Sequence, residues 1–299
     1  MSDALNRMDL SSNLEAILKS HGYRQVEKDA EFLSRPELRP VRMQLELLKP
    51  EMLLAEHHIS STIVLFGSTQ IIAPSEAKLR LANATAAAAA APGNTQLERE
   101  AKLAKKLLDK SHYYEAAREF ARLVTMCCQP DSDIHYVIVT GGGPGIMEAG
   151  NRGAYEAGGK SIGLNISLPA EQVPNPYITP DLCFQFRYFA MRKLHFLLRA
   201  KALIAFPGGF GTLDELFEAL TLRQTHRMQE IPIVIFGREY WDKVIDFQFL
   251  ADEGAIRDEH LELISYAETP QEAWEIITRF HRERGPAPPE TLPPTLSSF

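Results

Sequence analysis

Short apolar runs that end in glycine constrain this chain more than any other feature. Thr62–Phe66 is followed by Gly67-Ser68-Thr69, Tyr136–Thr140 by Gly141-Gly142-Gly143-Pro144-Gly145, and Ala202–Phe206 by Pro207-Gly208-Gly209-Phe210-Gly211. Runs this short and this apolar suit strands buried on both faces, as in a parallel sheet. Further runs at Ser161–Ile166, Cys183–Phe186, Ile233–Phe236 and Leu263–Tyr266 alternate with segments of helical periodicity. The alternation predicts an α/β fold, a Rossmann-like doubly wound parallel sheet with helices on both faces. One long helix is expected from Leu97 to Cys127 and another from Arg187 to Arg199. Others should begin near Thr212, Tyr240 and Pro270.

The pattern is not uniform along the chain. Residues 1–58 carry helical spacing without a glycine motif, with Met43, Leu47, Leu48 and Leu54 as expected buried positions, and read as a helical N-terminal extension. Residues 59–284 form the expected Rossmann-like nucleotide-binding catalytic domain, with an alanine-rich insertion at about 82–96. Residues 285–299 are proline-rich and aperiodic, the composition of a disordered tail.

In a doubly wound sheet, ligands bind outside the carboxyl ends of the strands. Three glycine-bearing loops on that rim, at Gly67-Ser68, at Gly141, Gly142 and Gly143, and at Gly208, Gly209 and Gly211, therefore point to a phosphate-bearing ligand. Backbone N–H groups at a helix start favour an anion, and glycine lets the chain come close to one. The third loop runs into Thr212-Leu213-Asp214-Glu215. Thr212 and Glu215 have the spacing of a capping box, in which both side chains serve the first free helix amides. Capping needs none of the preceding glycines, and phosphate binding needs no carboxylate. An acid beside a phosphate cradle suggests chemistry on a phosphorylated small molecule. Upstream, Arg187, Met191, Arg192 and Lys193 crowd a helix start, where the dipole disfavours cations. Either they snorkel at the surface or they serve an anion bound nearby.

Several activities fit poorly. The triple-glycine loop has Ile146 where a dinucleotide fingerprint needs its last glycine, and Ser161–Ile166 ends without the acid that would hold a ribose, so NAD is disfavoured. No complete Gly-x-x-x-x-Gly-Lys-Ser/Thr, His-Glu-x-x-His or Cys-x-x-Cys occurs, so neither a metal nor a cofactor is expected. A net charge of −7 argues against nucleic-acid polymers and anionic membranes. Three cysteines without disulfide or zinc spacing suit a reducing cytoplasm. The first ten residues lack the apolar core of a signal peptide, and no run approaches ~18 apolar residues. A nucleoside monophosphate or another sugar phosphate remains as the expected partner.

Gly141-Gly142-Gly143-Pro144-Gly145-Ile146-Met147-Glu148, Met191-Arg192-Lys193 and Pro207-Gly208-Gly209-Phe210-Gly211-Thr212-Leu213-Asp214-Glu215 occur here in an order that resembles the LOG ("lonely guy") family. These are cytokinin riboside 5′-monophosphate phosphoribohydrolases whose bacterial members often carried a lysine decarboxylase label. The resemblance covers about residues 60–280. It implies a homodimer or higher homo-oligomer that hydrolyses the N-glycosidic bond of a purine nucleoside 5′-monophosphate. The arginine and glutamate that the family uses for catalysis match Arg192 and Glu215. Gly67, Ser68, Gly141, Gly142, Gly143, Met191, Lys193, Gly208, Gly209, Gly211 and Thr212 would line the substrate and phosphate side. The extension and the insertion are similar to those of longer bacterial members, some of which act on AMP or GMP. The alternative is a non-catalytic module that binds or carries a nucleotide or phosphorylated cofactor.

Overall fold

The computed structural model describes residues 2–129, 135–168 and 173–284, so the expected disordered tail at 285–299 lies outside the described residues. The chain divides into two compact units, Met1–Lys49 and Pro50–Phe299. The first is helical: Ser2–Lys19, a series of short turns, and Ala30–Ser34, whose first turn is capped by the Asp29 carboxylate accepting from Phe32 N at 3.0 Å. Met43 and Leu47 are half-buried, but Leu48 is 39% exposed. It lies about 100° round the helix from Leu47, which carries it toward the exposed side.

The second unit is built on seven strands: β1 (Thr62–Phe66), β2 (Val137–Thr140), β3 (Ser161–Ile166), β4 (Cys183–Phe186), β5 (Ala200–Ala205), β6 (Ile233–Phe236) and β7 (Ile264–Ala267). They form one sheet in the order β4-β3-β2-β1-β5-β6-β7, and each neighbouring pair is parallel. The fold is thus the Rossmann-like α/β class that the sequence predicts. β5 starts two residues early because Thr62 pairs with Ala200 before the register shifts to Ile63 opposite Ala202.

Alternate residues of each strand go to opposite faces. Val64, Phe66, Leu203 and Ala205 face one core with Phe196, Leu216 and Ala219, which come from helices Phe189–Leu198 and Phe210–Gln224. Ile63, Leu65, Ala202 and Ile204 face the other with Tyr114, Phe120, Ala149 and Ile277, from helices His112–Cys128, Ile146–Glu156 and Pro270–Arg284. The two helices that bear the candidate site residues therefore share one face of the sheet.

The single helix expected from Leu97 to Cys127 is two, Thr95–Asp109 and His112–Cys128. Lys110 N and Ser111 N donate to Leu107 and Leu108 carbonyls three residues back, and Ser111 Oγ bonds Leu108 O at 2.7 Å. These local bonds tighten and end the first helix, which lets the Tyr113, Tyr114, Ala117 and Phe120 stripe turn into the core. The alanine-rich stretch belongs to one continuous helix, Pro74–Ala90.

Helices His112–Cys128 and Ile146–Glu156 meet closely at Gly153, where a Cβ would lie 2.0 Å from Arg118 O. Helix propensity favours alanine over glycine by about 0.8–1.0 kcal/mol. Overpacking costs about 1–3 kcal/mol, and a backbone carbonyl yields less readily than a side chain, so the clash dominates. Gly153→Ala is expected to lower the thermal midpoint by several degrees, at about 2–4 °C per kcal/mol for a domain of this size, measured by circular dichroism. An unchanged or raised midpoint would contradict this packing.

Candidate functional site

The strand order reverses between β1 and β5, so the crevice outside their carboxyl ends is the topological switch point. The loops that leave these two strands are tied together there. Ser68 N donates to Pro207 O at 3.0 Å, and Ile146 N donates to Ser68 O at 3.1 Å, which brings in the loop after β2. That approach requires Gly145, with φ +71°, since a Cβ on it would stand 2.4 Å from Ser68 O. All three glycine loops meet at one place.

Helix Phe210–Gln224 opens at this crevice with Gly209 as its N-cap, no capping side chain and no acid in its first turn. Leu213 N already bonds Gly209 O at 3.0 Å. The amides of Phe210, Gly211 and Thr212 precede the first intrahelical bond and have no helical acceptor. Gly209, Phe210 and Gly211 are exposed, and Phe210 is 92% exposed. These amides and the positive end of the helix dipole suit an anion. Tyr240 braces the loop from beneath, its hydroxyl donating to Gly208 O at 2.7 Å.

The capping-box reading fails. The helix begins two residues before Thr212, so Thr212 is its third residue and lies buried against Gly208. Glycine occupies the cap because the chain turns in before the first side-chain hydroxyl is reached. Glu215, released from that role, points at Arg192. Arg192 Nη1 donates to Glu215 Oε1 at 3.3 Å, and the two side chains are only 11% and 12% exposed. Arg192 Nε donates to Leu164 O at 2.7 Å, within β3, and its guanidinium stands 5.0 Å over the Phe196 ring. A Cβ on Gly141 would meet Arg192 Nη2 at 2.5 Å, so only glycine lets the guanidinium cross this loop.

Burial shifts both charges toward neutrality. It pushes the Glu215 carboxyl up to about 7 against the opposing pull of Arg192, with Asp214 and Glu218 adding to the rise. It holds Arg192 below the usual arginine range, and Glu215 works in the other direction. A buried pair of this kind contributes little to stability. A carboxyl tuned near neutrality in a crevice is suited to handling protons and developing charge.

The remaining candidates fall into two groups. Gly67, Ser68, Gly141, Gly142, Gly143, Gly208, Gly209, Gly211 and Thr212 gather at the switch point. Lys193 is turned away, with Nζ 2.8 Å from Asp214 and 3.3 Å from Glu218, and Met191 packs against the core. A buried polar network supports the triple-glycine loop and was not read from the sequence. Asn175 Nδ2 donates to Gly142 O and Gly143 O at 3.1 Å each and to Asn151 Oδ1 at 2.9 Å. Thr140 Oγ1 accepts from Gly142 N at 3.0 Å and donates to Asn151 Oδ1 at 2.7 Å. Asn151 Nδ2 reaches Ser161 Oγ at 3.0 Å. Asn151 and Asn175 lie in helix and loop segments that match no catalytic motif. Their only sequence signal is polarity where the pattern calls for apolar or exposed residues.

This fold and site define a Rossmann-like α/β protein whose switch point holds a glycine cradle and a buried arginine–glutamate pair. Residues 147–277 match the family model described as "Possible lysine decarboxylase". A probable cytokinin riboside 5′-monophosphate phosphoribohydrolase of rice (Oryza sativa subsp. japonica) is 30% identical over 114 residues, 37% of this chain and 45% of that protein. A cytokinin riboside 5′-monophosphate phosphoribohydrolase of Arabidopsis thaliana is 28% identical over 141 residues, 46% of this chain and 63% of that protein. Among solved structures, the molybdenum cofactor binding protein of the phototrophic bacterium Rippkaea orientalis aligns at 21% identity and a TM-score of 0.41, over 56% of this chain and 87% of that one. The chain thus spans less than two thirds of the length of each of the two plant relatives. Over these stretches it is similar to the LOG family.

The titration of Glu215 sets a stability test. Unfolded, the group titrates near 4.5; folded, it titrates near 7. Between these values the native chain keeps a proton that the unfolded chain has released, so this contribution is full below about 4.5 and is lost as pH rises through about 7. At about 1.4 kcal/mol per pKa unit, the loss is about 3 kcal/mol at most. Glu215→Gln should remove this slope. Its thermal midpoint relative to wild type should climb from pH 5 to pH 7.5 and then level off. A difference that does not vary with pH would refute the raised titration.

Proposed function

We propose that this protein hydrolyses the N-glycosidic bond of a purine nucleoside 5′-monophosphate, AMP or a cytokinin ribotide, giving the free base and ribose 5-phosphate. One observation carries the reading: the buried Arg192–Glu215 pair lies beside unspent helix amides at the switch point. The match to the family model over residues 147–277 and the phosphoribohydrolase names of the plant relatives support it.

In this reading the 5′-phosphate rests on the amides from Gly209 to Thr212, with the Ser68 hydroxyl beside it. The ribose then lies over Glu215. As the bond from C1′ to the base nitrogen breaks, its electron pair leaves with the base, which takes up a proton, and positive charge grows on the sugar ring. The Glu215 carboxylate stabilises that charge and orients the water whose oxygen bonds to C1′. A carboxyl titrating near 7 can accept the proton this water gives up, which a carboxyl near its ordinary value does less well. Arg192 stays protonated and is no acid. It fixes the carboxylate from one side and is itself fixed by Leu164 O and the gap over Gly141. Low dielectric makes these charges act more strongly on the substrate than they would in water.

Incubating the full chain with a panel of nucleoside 5′-monophosphates and assaying free base and ribose 5-phosphate tests the proposal. Wild type should release base from at least one purine nucleotide, with kcat/KM rising through pH about 7 as Glu215 ionises. Glu215→Gln should lower kcat by roughly 10²–10³ while nucleotide still protects the fold against heat. Arg192→Lys should lose much of the rate as well, because a point charge cannot hold Leu164 O and Glu215 together in the same fixed geometry. Binding of nucleotides without release of base from any of them would overturn hydrolysis in favour of a carrier.

A further inference from the structure

A second site lies at the opposite end of helix Phe210–Gln224. Arg223, in the last turn of that helix, is 7% exposed. Its Nε is buried and has no hydrogen-bond partner among the described residues. The nearest carboxylate, Glu230, stands 3.8 Å from Nη1, beyond hydrogen-bond reach, and is itself engaged by Arg284 Nε at 3.0 Å. A guanidinium carries five donors in a planar fork. Burying one without an acceptor is costly, and most such groups in folded proteins find a partner.

The surroundings say what partner fits. Arg223 lines a cavity of about 300 Å³. A water occupies only about 30 Å³, so the space takes a molecule of several heavy atoms. Ile231, Leu263 and Phe280 supply apolar wall, and Gln224 and Ser265 supply polar groups beside the guanidinium. Around the exposed rim stand Glu230, held by Arg284, Glu259, held by Arg257 at 3.0 Å, and Glu262, which has no ion-pair partner among the described residues. A buried guanidinium whose Nε lacks an acceptor calls for a monoanion. The unpaired Glu262 carboxylate at the rim repels a phosphate dianion and attracts an ammonium. A molecule with a carboxylate at one end and an ammonium at the other meets both demands, and the apolar wall accommodates a short side chain between them.

We propose that this cavity binds a small amino-acid-like zwitterion, its carboxylate forked on Arg223 and its ammonium among the rim glutamates. The site shares no residue with the Arg192–Glu215 crevice and does not depend on the reaction assigned there.

The test uses the full chain and thermal denaturation with about 10 mM of each of the common L-amino acids, and with acetate, methylamine and inorganic phosphate as separate probes. At least one amino acid should raise the midpoint by about 2 °C or more, well above acetate or methylamine alone. Arg223→Met, which keeps the length of the side chain, should abolish that shift, whereas Glu215→Gln should retain it. Phosphate, which would act at the glycine cradle, should protect wild type and Arg223→Met equally. The exposed rim provides a variant that leaves the core untouched: Glu262→Lys should weaken amino-acid binding by roughly 10-fold by calorimetry, as for loss of one favourable charge contact of about 1.4 kcal/mol. The proposal is overturned if no amino acid shifts the midpoint, if the shift survives in Arg223→Met, or if it is the phosphate response that this variant loses.

Discussion

The geometry of the candidate site depends on a single buried guanidinium. Arg192 reaches from its helix to β3, where Leu164 O accepts from Nε, and across to the next helix, where Glu215 accepts from Nη1. Its passage is open because residue 141 has no side chain. Three elements far apart in sequence are thereby referenced to one planar group with fixed donor directions. Moving any of them leaves a buried charge without its partner, so the arrangement resists small displacements.

Two further layers hold this centre. Beneath the triple-glycine loop, Thr140, Asn151, Asn175 and Ser161 satisfy one another and the loop carbonyls in a closed buried network. A fully satisfied polar network of this kind rigidifies a loop that glycine alone would leave free. On the other side, Tyr240 and the bond from Ser68 N to Pro207 O fix the turn that presents the exposed amides. The cradle is open to solvent while its supports are buried, as a site that must admit a ligand and keep its shape requires.

Much of this was legible in the residues because apolar period and glycine punctuation are local signals. Strands β1, β3, β4 and β6 begin and end where the runs do, and the glycines mark the rim. The break at Lys110-Ser111 was missed because the apolar spacing continues through it and only local hydrogen bonds interrupt the helix. The capping-box spacing misleads for a related reason. Thr212 and Glu215 have the right separation, but where a helix starts depends on the backbone of Gly209, which spacing does not report. Lys193 reads as a cation for phosphate, yet its helix places it beside Asp214 and Glu218. Asn151 and Asn175 carry no motif at all.

The order of residues alone determined the α/β class, the parallel sheet and the three glycine turns at strand ends, since each follows from side-chain period and backbone freedom within a few residues. Only the tertiary structure decided that Glu215 serves Arg192 instead of its own helix, that its carboxyl titrates near 7, and that Arg223 Nε is left without an acceptor among the described residues. Those properties come from desolvation and from neighbours tens of residues away along the chain, and burial of that kind exists only once the helices have packed on the sheet.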